Sequence, residues 1–386
     1  MSPESDVSRR TVLKTTGGSL LALGTTGLAS ADPDDLVRVN VGFKSDRGRR
    51  AALDAADEVV RQFNFDALTI RVPRQAATAL ADRPGVRYVE TNGQMQALAQ
   101  TLPWGIDRVD AEIAHANGDT GAGADIAIVD TGIDTSHPDL QDNLGWAKAF
   151  VLCDSSCSQC GPCEVPWDDD NGHGTHVAGI AGAIDNTEGV VGVGPGVTLH
   201  AVKVLDCQGR GSYSDISAGI EYAADRGCDV VTLCFGGSHS LTLYDAVRYA
   251  YNRGVLLVAA AGNDGPCTDC VAYPAAYDEV VAVCATSSDD SLSSFSSTGP
   301  EVELAAPGSG IYSTMCTQGY DTYSGTSMAA PHVAGAGGQL MAHGYTNVEA
   351  RHRLQSTAED IGLSSNEQGY GLVDVAAALG HYSGDN

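Results

Sequence analysis

The chain has 386 residues, 43% of them hydrophobic, enough for one large core or for one large core with a small partner unit. Its charge is lopsided: residues 1–98 carry 13 Lys+Arg and 12 Asp+Glu, leaving 9 basic and 37 acidic side chains, a net charge of −28, for residues 99–386. A field of that sign repels nucleic acid and anionic membranes, which excludes both as expected partners, and it points to a protein adapted to molar salt, where screening over about 3 Å tames self-repulsion.

At the N-terminus, Ser8-Arg9-Arg10-Thr11-Val12-Leu13-Lys14 precedes a weakly apolar stretch, Thr15 to Leu28, and then Ala29-Ser30-Ala31. Paired arginines, a modest apolar region and a small-residue cleavage site predict that residues 1–31 are a twin-arginine signal peptide and that the protein is secreted. The stretch is short and rich in Gly and Thr, which argues against a membrane anchor. All eleven cysteines follow position 150. In an exported chain this favours disulfides over reduced thiols, and the odd number leaves at least one sulfur outside an intrachain bond.

Residues 35–91 read as a small α+β unit. Asp35 to Lys44 alternates like a strand, Arg49 to Phe63 has helical spacing, Phe65 to Val72 is a second strand, Arg74 to Ala81 a second helix and Gly85 to Glu90 a further strand, with room for one more. Thr91 to Gln100 reads as a linker. Beyond it, apolar strands alternate with helices: strand Asp125 to Val129, a helix beginning near His173, strand Val197 to Val204, helix Ser214 to Arg226, strand Val230 to Phe235, helix Leu241 to Arg253, strands Val255 to Ala260 and Val280 to Val283, and a helix from Ser327. Continuous apolar strands separated by helices predict an α/β fold, a mostly parallel sheet with helices on both faces. Ligands of such sheets bind beyond the carboxyl ends of the strands, where Asp130 and Asn263 fall.

Three short stretches belong together: Val129-Asp130-Thr131-Gly132-Ile133-Asp134, Asn171-Gly172-His173-Gly174-Thr175-His176 and Gly325-Thr326-Ser327-Met328. A serine hydroxyl is a weak nucleophile at neutral pH and needs an imidazole to take its proton; the imidazole needs a carboxylate to fix its tautomer. Asp130 at a strand end, His173 in a first helical turn and Ser327 at a helix start supply those roles in the order Asp, His, Ser. His176 and His332 read as structural.

These motifs, with Gly325-Thr326-Ser327-Met328-Ala329-Ala330-Pro331-His332 in full, resemble those of the subtilisin-like serine proteases from about Pro103 to about Ala378. In style the chain is similar to the acidic halolysins of salt-loving archaea. The resemblance implies a serine endopeptidase working through an acyl-enzyme on Ser327, with His173 as base and then acid, and Asn263 of Ala261-Gly262-Asn263-Asp264 as oxyanion donor beside the Ser327 backbone N–H. It implies an extended substrate strand held between Gly209-Arg210-Gly211 and Cys234-Phe235-Gly236. Ala272 stands where the family usually has Gly, and Cys234 and Phe235 where it has small or aliphatic residues, which bears on the first specificity pocket.

The resemblance also implies a Ca²⁺ site from Gln100, Asp139, Ile184, Asn186, Glu188 and Val190, since hard oxygen donors in an irregular cage suit that ion. If Gln100 belongs to it as a near-terminal residue of the mature enzyme, cleavage falls near Ala97 to Thr101. Residues 32–98 are then a ferredoxin-like propeptide that assists folding and inhibits the enzyme, and residues 99–386 are the peptidase domain, a monomer. Cys153-x3-Cys157-x2-Cys160-x2-Cys163 interrupts the family pattern before His173. Such spacing suits either a zinc knot or disulfides, and export favours disulfides. Cys228, Cys234 and Cys284 read as buried small residues.

Overall fold

The computed structural model describes residues 36–92 and 100–382, so the signal-peptide stretch and most of the linker lie outside the described residues. The chain divides into two compact units, Met1–Ala97 and Leu98–Asn386. In the first, β1 (Leu36–Phe43), α1 (Asp46–Ala55), β2 (Glu58–Gln62), β3 (Ala67–Pro73), α2 (Arg74–Ala81) and β4 (Val86–Thr91) form an antiparallel sheet of order β2-β3-β1-β4. This is the split β-α-β pattern of ferredoxin-like units. The helix expected over Arg49 to Phe63 stops at Ala55, and its second half is the edge strand β2. Val59 and Arg61 there satisfy their backbones against β3, a long-range pairing that local spacing does not reveal.

The second unit is built on a parallel seven-stranded sheet, in which β5 (Asp125–Asp130), β6 (Leu144–Ala149), β7 (Thr198–Lys203), β8 (Val230–Leu233), β9 (Leu256–Ala260), β10 (Val280–Thr286) and β11 (Val302–Pro307) take the order β11-β10-β9-β8-β5-β7-β6. Strand side chains alternate between two cores. Ile126 and Ile128 enter one and Ala127 and Val129 the other, as a pleated strand buried on both faces requires. Helices α3 (His173–Gly182) and α6 (Thr326–Ala342) pack on the first face, and α4 (Tyr213–Asp225) and α5 (Leu241–Tyr251) on the second. The edge strands β6 and β11 and the hairpin β12 (Ile311–Met315)/β13 (Gly319–Tyr323) were not predicted.

Helix α6 can sink beneath the sheet because its inner face is nearly all Ala and Gly. A Cβ on Gly337 would lie 2.4 Å from Leu256 Cδ2, and one on Gly338 2.8 Å from Ile126 Cδ1. Pro331 lies within this helix, so its missing N–H removes the regular i−4 donor to the Ser327 carbonyl.

Four disulfides form, Cys153–Cys163, Cys157–Cys207, Cys160–Cys316 and Cys267–Cys270, while Cys228, Cys234 and Cys284 are free and buried. The zinc alternative for the cysteine cluster is thereby set aside, because each of its four sulfurs is bonded to another. The inserted loop is stapled to the segment before Gln208 and to the β12–β13 hairpin.

Candidate active site

Asp130 is the last residue of β5, and its neighbour across the sheet is Lys203 of β7. The carboxylate is 1% exposed, and its Oδ1 accepts hydrogen bonds from the Thr131 N–H at 2.7 Å and from His173 Nδ1 at 2.8 Å. His173 opens α3 after Gly172, whose φ of +103° no side chain adopts cheaply. A Cβ on Gly174 would lie 2.2 Å from the Gly132 carbonyl oxygen and 3.2 Å from Asp130 Cβ. Both glycines flanking His173 are therefore required for its turn to press against the loop that follows Asp130. Burial opposes a charge on His173, but the charge and hydrogen bond of Asp130, joined by the charge of Asp169, raise its pKa above the ordinary imidazole value.

Ser327 is the second residue of α6. Its Oγ donates to the Cys234 carbonyl oxygen at 3.1 Å, so reaching His173 takes a rotation about its side-chain bond. Asn263 follows β9. Its Oδ1 accepts from both the N–H and the hydroxyl of Thr326, at 2.9 and 3.0 Å. With the oxygen tied back, the amide nitrogen is the atom left to face a ligand. His173, Ser327 and Asn263 line one cleft of about 1010 Å³.

Gly209, Cys234, Phe235, Gly236 and Ala272 line the same cleft, whereas Arg210 and Gly211 are not among its lining residues. The turn explains the difference: Asp206 Oδ1 accepts from Arg210 N–H and Asp206 N–H donates to the Arg210 carbonyl, folding that segment back on itself. The Cys234 side chain points inward, with Sγ 3.5 Å from Thr232 Oγ1, and burial pushes its thiol well above the ordinary range. A Cβ on Gly236 would lie 2.8 Å from that of Ala272, so the Ala272 methyl closes the space between those segments. Gly237 and Tyr273 exchange backbone hydrogen bonds at 2.9 and 3.1 Å beside it.

The two remaining histidines of these motifs are buried and neutral. His176 Nε2 faces the carbonyls of Ile311 and Asp321, and His332 Nδ1 that of Met328; burial pushes the pKa of each down to about 4. Three residues matter here that the sequence reading missed. His239 lines the cleft edge-on to Tyr273. Thr326 orients Asn263. Lys203 is fully buried, its Nζ donating to Thr131 O, Leu205 O and Asp170 Oδ1 at 2.6, 2.9 and 2.6 Å. A lysine inside an otherwise apolar strand, His200-Ala201-Val202-Lys203-Val204-Leu205, was the available signal.

The expected cation residues also come together. Gln100 Nε2 donates to Ile184 O and Val190 O at 2.7 and 3.0 Å, Asn186 Nδ2 to Asp139 Oδ1 at 3.2 Å, and Val190 N–H to Asp139 Oδ2 at 2.8 Å. Glu188 joins through its N–H, bonded to Asn186 Oδ1 at 2.8 Å.

Residues 121–371 match the profile of the Subtilase family. Subtilisin E of Bacillus subtilis (strain 168) is 39% identical over 351 residues, 88% of this chain and 89% of the relative. An alkaline protease of Shouchella clausii is 41% identical over 325 residues, 83% and 81% of the two chains, and subtilisin DY of Bacillus licheniformis is 46% identical over 286 residues, 72% and 99%. The chain belongs to the subtilase family. It is a subtilisin-like serine endopeptidase with the α/β fold of that family.

Proposed function

We propose that the protein is a secreted, salt-adapted endopeptidase in which Asp130, His173, Ser327 and Asn263 carry the chemistry. The observation that carries this reading is the 2.8 Å bond between buried Asp130 and His173 in a cleft shared with Ser327 and Asn263. Ser327 Oγ attacks the scissile carbonyl while its proton passes to His173 Nε2, leaving the Asp130 bond to Nδ1 to fix the tautomer. The tetrahedral oxyanion takes hydrogen bonds from Asn263 Nδ2 and the Ser327 N–H at the start of α6. His173 then returns the proton to the leaving amine, and water repeats the sequence on the acyl-enzyme to release the acid and free Ser327. Gly209, Cys234 and Gly236 offer main chain to an extended substrate, and Phe235 and Ala272 shape its first pocket.

Residues 1–31 are proposed as the twin-arginine signal, 32–98 as the inhibitory propeptide and 99–386 as the mature, monomeric peptidase; the division of the chain after Ala97 supports that boundary. The residue set at Gln100 fits a calcium ion. Its donors are oxygens: the Gln100 amide N–H faces the Ile184 and Val190 carbonyls and the Asn186 amide N–H the Asp139 carboxylate, and turning either amide over would present its own oxygen to the same neighbourhood. Gln100, Asp139, Ile184, Asn186, Glu188 and Val190 would hold the ion, which would supply a structural cross-link. Casein cleavage and fluorophosphonate labelling in molar salt test the reading, with Ser327→Ala as control. Ester turnover without proteolysis, or no labelling of the wild type, overturns it. N-terminal sequencing of the secreted product tests the boundary.

A further inference from the structure

We propose that Asp169 is a positioning residue for the Asp130–His173 pair, its single carboxylate holding in register the two segments that present them. The inference rests on the proposed roles of Asp130, His173 and Ser327.

Asp168-Asp169-Asp170 precedes the turn to His173, and three adjacent carboxylates in an acidic protein ordinarily form a solvated surface run. Here Asp169 is 4% exposed and Asp170 0%. Asp170 is matched by Lys203 at 2.6 Å. Asp169 has no cation partner among the described residues; five N–H and O–H donors satisfy it instead. Its Oδ1 accepts from Thr131 Oγ1 at 2.8 Å, Asn171 N–H at 3.0 Å and Gly172 N–H at 2.8 Å, and its Oδ2 accepts from Thr175 N–H at 2.9 Å and Thr175 Oγ1 at 2.6 Å. Thr131 follows Asp130 directly, and Gly172 to Thr175 is the first turn of α3. A closed ring therefore runs from Asp130 through Thr131, Asp169 and that turn to His173, and back across the 2.8 Å bond to Asp130.

Asp169 also performs the capping that Gly172, with no side chain, cannot. It places a negative charge at the helix N-terminus beneath the imidazole, where the dipole favours it. The groups facing this region from the packed elements are Asp130 from β5, His176 from α3 itself, the Cys234 thiol after β8, Tyr323 from β13, the Lys203–Asp170 pair, and Asp134, Glu164 and Asp168, which line a small cavity with Asp169 on its outer side. His176 is neutral and the thiol and phenol are held protonated, and of the surrounding carboxylates Asp130 and Asp169 are the ones whose charge favours the imidazolium of His173.

The test is Asp169→Asn, assayed for its kcat/KM pH profile on a peptide anilide. The expected result is a loss of about 10- to 100-fold, carried by kcat with KM within about twofold, and an acidic limb moved down by about half a pH unit, because removing a negative charge makes the imidazole easier to deprotonate. Thr131→Val removes the hydroxyl that donates to Asp169 and accepts from the Gly174 N–H at 2.9 Å, while the Asp169 bonds to Asn171, Gly172 and Thr175 remain; kcat should fall about three- to tenfold. An Asp169→Asn enzyme with an unmoved acidic limb overturns the proposal, whether its activity is normal or lost through a lower melting temperature. If that variant does not fold, wild-type kcat in Thr131→Val overturns it. Fluorophosphonate labelling of wild-type Ser327 is scored separately, so a failure of Asp169 is distinguishable from a failure of the catalytic assignment.

Discussion

Asn263 receives two hydrogen bonds from Thr326 on one oxygen, at 2.9 and 3.0 Å, and Thr326 immediately precedes Ser327. The proposed oxyanion donor is thus oriented by the helix start that presents the proposed nucleophile. Asn263→Ala is expected to lower kcat by about 10²–10³-fold with KM little changed, as for a donor that acts only in the transition state. Thr326→Val keeps the backbone bond and loses one of the two, so its loss should be smaller. Steady-state kinetics on a peptide anilide check both; equal losses in kcat and in substrate affinity would contradict the assignment.

The Asp130–His173 bond fixes a direction for the pH dependence. Because the folded-state pKa of His173 is raised above 6.5, the neutral base required for attack is gained at a higher pH than for a free imidazole. The rising limb of kcat/KM should reflect this. Asp130→Asn should move that limb down and cost about 10⁴-fold in kcat through the wrong tautomer. The stability sign is opposite: an imidazolium favoured in the folded state stabilises below pH 6.5, and that contribution fades as pH rises through the raised value. A limb at or below the free-imidazole value would refute the electrostatic account.

Much of this site was legible in the sequence because each proposed catalytic residue sits in a motif whose small neighbours have a single steric purpose. Gly174 must clear Gly132, and the Ala and Gly of α6 must clear Leu256 and Ile126. Apolar strands buried on both faces could be read directly, since every residue of β5 from Ile126 to Asp130 is buried. Edge elements could not. β2 was hidden inside a helical spacing, and β6 mixes Lys148 with Trp146 and Ala147. The tasks of Asp169 and Lys203 were illegible for another reason: their partners, Thr131 and Asp170, are 38 and 33 residues away in sequence.

Lys203 and Asp170 form an ion pair with neither side chain exposed to solvent. Lys203→Met removes the cation and leaves Asp170 buried and uncompensated, so a loss of about 3–5 kcal/mol is expected in denaturant unfolding of the mature enzyme. The Lys203→Met/Asp170→Asn double variant should recover most of it, because the desolvation cost of both charges disappears together. A single variant as stable as the wild type would show that Asp170 is reached by water or ions once Lys203 is gone.

Ala272 closes the space beside Gly236, whose hypothetical Cβ would lie 2.8 Å from the alanine methyl. Ala272→Gly should deepen the first pocket and raise kcat/KM for a large aromatic residue relative to alanine at the cleaved position by about 10-fold or more, the usual worth of methylene-sized room in such a pocket. Comparing peptide anilides that differ only at that residue measures the ratio. An unchanged ratio would mean that Cys234 or Phe235, the other departures from the family pattern in the lining, sets the depth.

The proposed calcium residues around Gln100 yield a prediction about ion removal. Gln100 bonds to Ile184 O and Val190 O, and Thr101 N–H donates to Gly189 O at 2.6 Å, so the segment after the proposed cleavage point is fastened to residues 184–190. An ion bound there only in the folded state stabilises by about 2.7 kcal/mol at 100 times its dissociation constant, and a chelator removes that contribution. The melting temperature of the mature enzyme in molar NaCl should therefore fall on adding EDTA and return with excess Ca²⁺. Asp139→Asn, which removes the buried carboxylate that also accepts from Asn186 and Val190, should abolish the response. Since Asp139 lies away from the cleft lining, its effect on kcat at low temperature should be small, and a chelator-sensitive Asp139→Asn enzyme would place the ion elsewhere.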